Sequence, residues 1–195
     1  MLNQEISYEL RARLALERCG FRTAHSLGQN FILDESFLND LLTAAELEAG
    51  DRVLEIGPGP GILTALIASR AQKVLSIEVD EKLRPVLDTL LEGCDNAEVV
   101  FTDTMKANIA ALVEERLGAP YRVIANLPYY ITADVILRML SVRPLPQSLC
   151  LMVQKEAADR MMSQAGDDNW CALAAIINYY GSCRVLRDVP PERFD

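Results

Sequence analysis

Glu55-Ile56-Gly57-Pro58-Gly59-Pro60-Gly61 separates an apolar run from a helical pattern, and Glu78 follows 21 residues after Gly57. Glycines at such a junction let the backbone approach a ligand at the carboxyl end of a strand, beside a helix N-terminus. An acidic side chain about 20 positions on is placed to accept hydrogen bonds from ribose hydroxyls. The pattern points to a nucleotide-type cofactor. Pro58 and Pro60 have no N–H to cradle a pyrophosphate, and Glu55 adds negative charge beside the loop. The spacing is G-x-G-x-G, not the dinucleotide spacing G-x-G-x-x-G. These details suit S-adenosylmethionine, which has no phosphate and carries a cationic sulfonium and ammonium. A glycine turn that binds nothing is the bland alternative, and the position of Glu78 weighs against it.

Two further sets of residues fall at strand ends. Asp103 follows the third apolar run, where a carboxylate can accept from an exocyclic adenine amine; as an N-cap of the next helix it has an equally good structural reason to be there. Asn126-Leu127-Pro128-Tyr129-Tyr130 ends the fourth run, next to the cofactor crevice of a doubly wound sheet. The Asn126 amide oxygen and the Leu127 or Pro128 carbonyl offer two acceptors for an adenine amine, and Tyr129 a ring to stack on the base. Two acceptors pulling on those hydrogens favour a pyramidal, nucleophilic nitrogen. Methyl transfer then needs positioning and electrostatics, with no obligatory general base. Exposed tyrosines on an ordinary proline turn are the competing reading.

The elements that must position these groups alternate. Apolar runs at 52–56, 73–79, 97–101, 121–126 and 148–154 are separated by helical patterns at 61–70, 81–91, 106–117, 132–141 and 155–164. A further helix is expected over 170–180 and a closing strand over 182–189. Alternation with short connections implies a parallel sheet covered on both faces. Before it, a short amphipathic helix is expected over 5–19, and Asp34 is placed to cap a helix running toward Gly50.

The 195 residues carry a formal net charge of −9, unevenly spread: residues 1–100 hold 9 basic and 17 acidic groups, residues 101–150 hold 5 and 4. An acidic surface disfavours unaided binding to a phosphate polymer. The five cysteines form no C-x-x-C and read as buried free thiols of a reducing compartment. The lone His25 makes a histidine metal site or triad improbable, and no metal is expected. No apolar run approaches the ~18 residues of a membrane span.

SLGQNF (26–31), EIGPGPGILT (55–64), IEVD (77–80), NLPYY (126–130), LMVQKEAADRM (151–161) and VPPERF (189–194) occur in this order. Together they resemble the ribosomal RNA adenine dimethyltransferases of the kasugamycin-resistance type. The resemblance implies a Rossmann-like S-adenosylmethionine-dependent methyltransferase fold with a mostly parallel seven-stranded sheet and helices on both faces. It implies N6-dimethylation of two adjacent adenosines near the 3′ end of small-subunit rRNA, within a pre-30S particle, by a cytoplasmic monomer that binds no membrane. By position, Asn30 and Ile32 would contact the cofactor, with Gly57, Gly59 and Gly61 holding its methionine part, Glu78 the ribose and Asp103 the adenine. Asn126, Pro128 and Tyr129 would be catalytic, Asn126 also reaching the cofactor, while Leu127, Tyr129 and Phe194 hold the target base. Residues 1–33 are expected to form an arm and 34–195 the catalytic domain, with the family's small C-terminal helical domain absent. The residues before LGQNF are Thr23, Ala24 and His25 where the family has basic ones, so poor RNA binding is expected. Lys155, Arg160, Arg138 and Arg143 are candidates for an RNA-facing surface, against solvated helix charges as the simpler reading. Other readings are an RNA-binding assembly factor on the same scaffold, a DNA or large-subunit RNA methyltransferase, and, least compatible with the prolines, a nicotinamide dehydrogenase.

Overall fold

A computed structural model of the chain describes residues 6–21 and 31–190. Two helices, α1 (Tyr8–Arg18) and α2 (Glu35–Ala44), precede the alternating series β1 (Arg52–Ile56), α3 (Ile62–Ala68), β2 (Lys73–Glu78), α4 (Arg84–Leu90), β3 (Ala97–Phe101) and α5 (Ile109–Leu112). The series continues through β4 (Arg122–Asn126), α6 (Thr132–Ser141), β5 (Leu149–Met152), α7 (Lys155–Met161) and α8 (Ala172–Tyr180). The strands form one sheet in the order β3-β2-β1-β4-β5, and every neighbouring pair is parallel. The chain runs outward from β1 to β3, then returns to the other side of β1 with β4. That reversal opens a crevice at the carboxyl ends of β1 and β4, where ligands of such sheets bind.

Strand side chains alternate between two cores. Val53, Val74 and Ile124 face the layer of α2, α3 and α4, packing with Phe37, Leu42, Ile67 and Leu87. Leu54, Ile56, Leu75 and Ile77 face Ile109, Val113, Val135 and Met139 of the opposite layer. Each fully buried Leu or Ile contributes about 1.5–3 kcal/mol. Asp34 caps α2 by accepting from the Phe37 amide at 2.9 Å. At the other end of α2, the Arg122 guanidinium donates to the carbonyls of Ala45 at 2.6 Å and Glu46 at 2.8 Å and to the Asp51 carboxylate at 2.8 Å. A cation there satisfies carbonyls left open at a helix terminus and locks α2 against the start of β4.

The α/β class and parallel, doubly covered sheet are those expected from the sequence. The described residues form five strands where seven were expected. Residues 182–190 have no regular structure. Instead of adding to β5, this segment lies along α2: Arg187 pairs with Asp40 at 2.9 Å, Arg184 with Glu46 at 3.5 Å, and Val189 packs on the core. The helix expected over 106–117 starts later, at Ile109 with Asn108 as its cap, and widens to a π-helical turn over Val113–Leu117. The cysteines are free, but not deeply buried: Cys19 and Cys183 are exposed, one at the end of α1 and one in the irregular segment. No described helix is long and apolar enough to cross a membrane.

Candidate functional site

A cavity of about 360 Å³ opens at the switch between β1 and β4. Its walls come from the β1–α3 loop, the end of β2, the turn after β3, the segment after β4, and Phe31, Ile32 and Leu38. Three acidic residues belong to its wall (Glu55, Glu78 and Asp103), with no Lys, Arg or His among the described lining residues.

The glycine loop is shaped by its backbone. Gly59 lies at φ +54°, where an added Cβ would meet the Phe31 ring at 3.0 Å, and Gly61 at φ +93°, where it would meet Leu87 at 2.8 Å. Only glycine takes this path without strain. The loop's N–H groups are all spent within the protein. Gly57 donates to the Ile77 carbonyl at 3.0 Å and Gly61 to the Pro58 carbonyl at 2.9 Å. Gly59 donates to Glu78 Oε2 at 3.2 Å, and the two prolines have none. A loop with no open donor cannot wrap a pyrophosphate.

Glu78, 4% exposed, uses its other oxygen to accept from the Val79 and Asp80 amides, each at 2.8 Å. Burial pushes its pKa up, and these three backbone donors oppose that rise. An ionised carboxylate has about four lone-pair sites, so three amides leave room for one further donor.

Glu55 is fully buried on β1. Its Oε2 accepts the hydroxyls of Thr64 on α3 and Ser76 on β2, both at 2.6 Å. Its Oε1 is buried without a hydrogen-bond partner. Burial raises the carboxyl to about 7, with the two hydroxyls lowering it and the Glu78 charge raising it further. The sequence marks Glu55 as a charge beside the loop, but its partners escape that reading. The signal was available: Thr64 and Ser76 each interrupt an otherwise apolar element.

Asp103 has a structural task as well as its place in the wall. Oδ1 accepts from the Met105 amide at 2.8 Å and Oδ2 pairs with Lys106 at 3.1 Å; the amide bond is the main cause of its lowered pKa. Beside it, Thr104, Met105 and Val79 line the cavity, three residues that motif spacing did not single out. Val79 stays 54% exposed, an apolar side chain next to Glu78 and available to a flat ring.

At the end of β4, Asn126 lines the cavity opposite Gly57, whose built Cβ position lies 3.8 Å from the Asn126 carbonyl. The Leu127 side chain is core, 2% exposed. The Pro128 carbonyl accepts the Ile131 amide at 3.2 Å and the Thr132 hydroxyl at 3.4 Å, closing the turn that starts α6. Of the two carbonyls considered, this leaves Leu127's as the better acceptor for a ligand. Tyr130, 62% exposed, lines the cavity and was not singled out before. Ile32 is buried in the core and also forms part of the wall. Asn30, Phe194 and the Tyr129 side chain lie outside the described residues.

Two of the candidate RNA-facing cations are engaged locally. Arg138 folds onto the Ala107 carbonyl, bracing the turn that carries Asp103. Arg143 donates to the carbonyls of Leu140 at 3.1 Å and Val142 at 2.9 Å at the end of α6. Lys155 and Arg160 are exposed on α7.

Residues 20–195 match the model of a family described as ribosomal RNA adenine dimethylase. Among similar proteins, ribosomal RNA small subunit methyltransferase A of Alkaliphilus metalliredigens is 40% identical over 185 residues, covering 94% of this chain and 64% of that protein. The protein of the same name from Clostridioides difficile is 37% identical over 180 residues, covering 92% and 62%. The chain thus spans less than two thirds of the length of these relatives. Among solved structures, a dimethyladenosine transferase from Plasmodium falciparum superposes with a TM-score of 0.62 at 33% identity, covering 73% of this chain and 50% of that one. The 23S rRNA methyltransferase ErmE gives 0.60 at 32% identity, covering 70% and 53%.

Proposed function

The chain belongs to the ribosomal RNA adenine dimethylase family, and on that premise we propose that it transfers methyl groups from S-adenosylmethionine to N6 of two adjacent adenosines near the 3′ end of small-subunit rRNA. It acts in the cytoplasm, as a monomer, on a pre-30S particle. One observation carries the choice of cofactor: among the described residues the cavity wall has three acidic residues, no basic side chain and no open loop amide. Such a site repels phosphates and favours a cationic nucleoside.

S-adenosylmethionine supplies a methyl group on a positively charged sulfur. Glu78 accepts a ribose hydroxyl with the capacity its three amide partners leave it. Val79 and Met105 offer apolar surface to the adenine ring, and Asp103 accepts from its amine. Asn126 Oδ1 and the Leu127 carbonyl accept the two N6 hydrogens of the target base, localising the nitrogen lone pair toward the methyl. Tyr129, Tyr130 and Phe194 are the rings available to hold an unstacked base. Positioning does the catalysis, and the proton leaves to water after transfer.

The likeness to ErmE supports a second reading, methylation of large-subunit RNA on the same scaffold. Incubation with radiolabelled S-adenosylmethionine and unmethylated ribosomal subunits tests both. Label should enter the small subunit and be lost by at least a hundredfold in Asn126→Ala. Label confined to the large subunit selects the second reading, and no transfer to either rejects both.

A further inference from the structure

Glu55 is the one group at this site whose burial the cofactor reading does not yet explain. The residue belongs to the cavity wall while its carboxyl is sealed behind that wall, with one oxygen held by two hydroxyls and the other buried without a partner. A buried carboxylate with no cation beside it is costly, so the group is poised between its charged and neutral forms. The groups around it hold it there. β2 contributes the Ser76 hydroxyl and the Glu78 carboxylate. α3 has the sequence ILTALIA, which offers the Thr64 hydroxyl and no ionisable side chain. β4 places Ile124 beside Glu55 in register, and its Arg122 is paired with Asp51. Asp103 is the remaining carboxylate of the wall, already paired with Lys106.

Among the described residues no cationic side chain lines the cavity to offset Glu55, which leaves a cationic ligand as the natural source of positive charge. We propose that Glu55 is the buried counter-ion of the bound cofactor's positive charge, and that it assumes this role by losing its proton to solvent as the cofactor binds. The inference rests on the S-adenosylmethionine reading above and deepens it. Contact is not required: opposite charges attract through a low-dielectric wall, and this favours the ionised form whenever the cation is present. Cofactor affinity is therefore linked to pH, rising by up to about tenfold per pH unit below pH 7 and levelling off above it. The carboxyl's value of about 7 in the empty fold supports that window.

Isothermal titration of the whole chain with S-adenosylmethionine tests this without any methyl transfer. At one pH, the observed heat is plotted against the ionisation enthalpy of several buffers, and the slope counts protons exchanged. At pH 6.5 the expected release is roughly three quarters of a proton per cofactor, falling to nearly none at pH 8.5. Glu55→Gln should bind more weakly by at least about tenfold and release none at either pH. Ser76→Ala removes a hydroxyl that favours the ionised form, so its release should persist to higher pH; it also serves if the Gln variant does not fold. Binding with no proton release in the wild type overturns the proposal and leaves the cofactor reading intact. Release that survives in Glu55→Gln overturns it too, since the proton would then come from Glu78 or the cofactor's own amine. No binding heat in any buffer, and no binding by equilibrium dialysis, rejects the cofactor reading itself.

Discussion

Glu55→Gln keeps the shape of a buried side chain and an acceptor for its two hydroxyl partners, and removes only the capacity to ionise. In the fold this carboxyl is raised to about 7, chiefly by burial; in an unfolded chain it titrates near roughly 4.3. Between those values the folded state keeps a proton that the unfolded state has released. Stability from this group is therefore lost as pH rises through that window and is constant above about pH 7. The full loss is on the order of 3 to 4 kcal/mol, most of which accrues between pH 5 and pH 8. Urea unfolding of both proteins, followed by circular dichroism at several pH values, isolates the effect of Glu55 and its coupling to Glu78, because titrating groups that do not interact with Glu55 cancel in the difference. The stability of Glu55→Gln relative to wild type should climb by roughly 2 to 3 kcal/mol from pH 5 to pH 8. A difference that stays flat would refute the claim that Glu55 holds a proton in the empty fold. A difference that falls with pH would mean the cavity stabilises the buried anion without a ligand.

Other perturbations follow from the same geometry. Gly59→Ala forces a positive φ on alanine and drives its Cβ to 3.0 Å from the Phe31 ring; a stability loss of about 1–3 kcal/mol in denaturant titrations is expected, with weaker cofactor binding. Glu78→Ala frees the Gly59, Val79 and Asp80 amides as well as removing the proposed ribose acceptor, so S-adenosylmethionine affinity measured by calorimetry should drop by more than about tenfold. Arg122→Met leaves Asp51 unpaired and the Ala45 and Glu46 carbonyls unsatisfied; thermal melts should show a loss of about 2–4 kcal/mol, while Asp51→Asn costs less.

The parts of the fold set by local pattern were readable in advance. Five apolar runs became β1–β5 in the expected places, because parallel strands buried on both faces leave a continuous apolar signature. Asp34 and Thr132–Ser141 fell where capping and periodicity put them. At the site, the glycine loop and Glu78 were legible from spacing alone. What spacing could not reveal was where each hydrogen bond goes. That Gly59 donates to Glu78, that the Pro128 carbonyl closes its own turn, and that Asp103 is held by Met105 and Lys106 all depend on three-dimensional register. Residues 182–190 show the reverse failure: a β-like composition read as a strand, while two arginines found carboxylates on α2 and in the turn after it instead. Pairing between segments more than a hundred residues apart leaves no local trace.

Adenine N6 dimethylation is tested most directly by mapping the product. Unmethylated small subunits are incubated with the chain and S-adenosylmethionine, the rRNA is digested, and methylated nucleosides are located by mass spectrometry of the fragments. Two adjacent N6,N6-dimethyladenosines near the 3′ end are expected, and neither forms with Asn126→Ala. Methyl groups on another atom or another RNA, or an unmodified 3′ fragment despite measured cofactor binding, would contradict the proposed reaction.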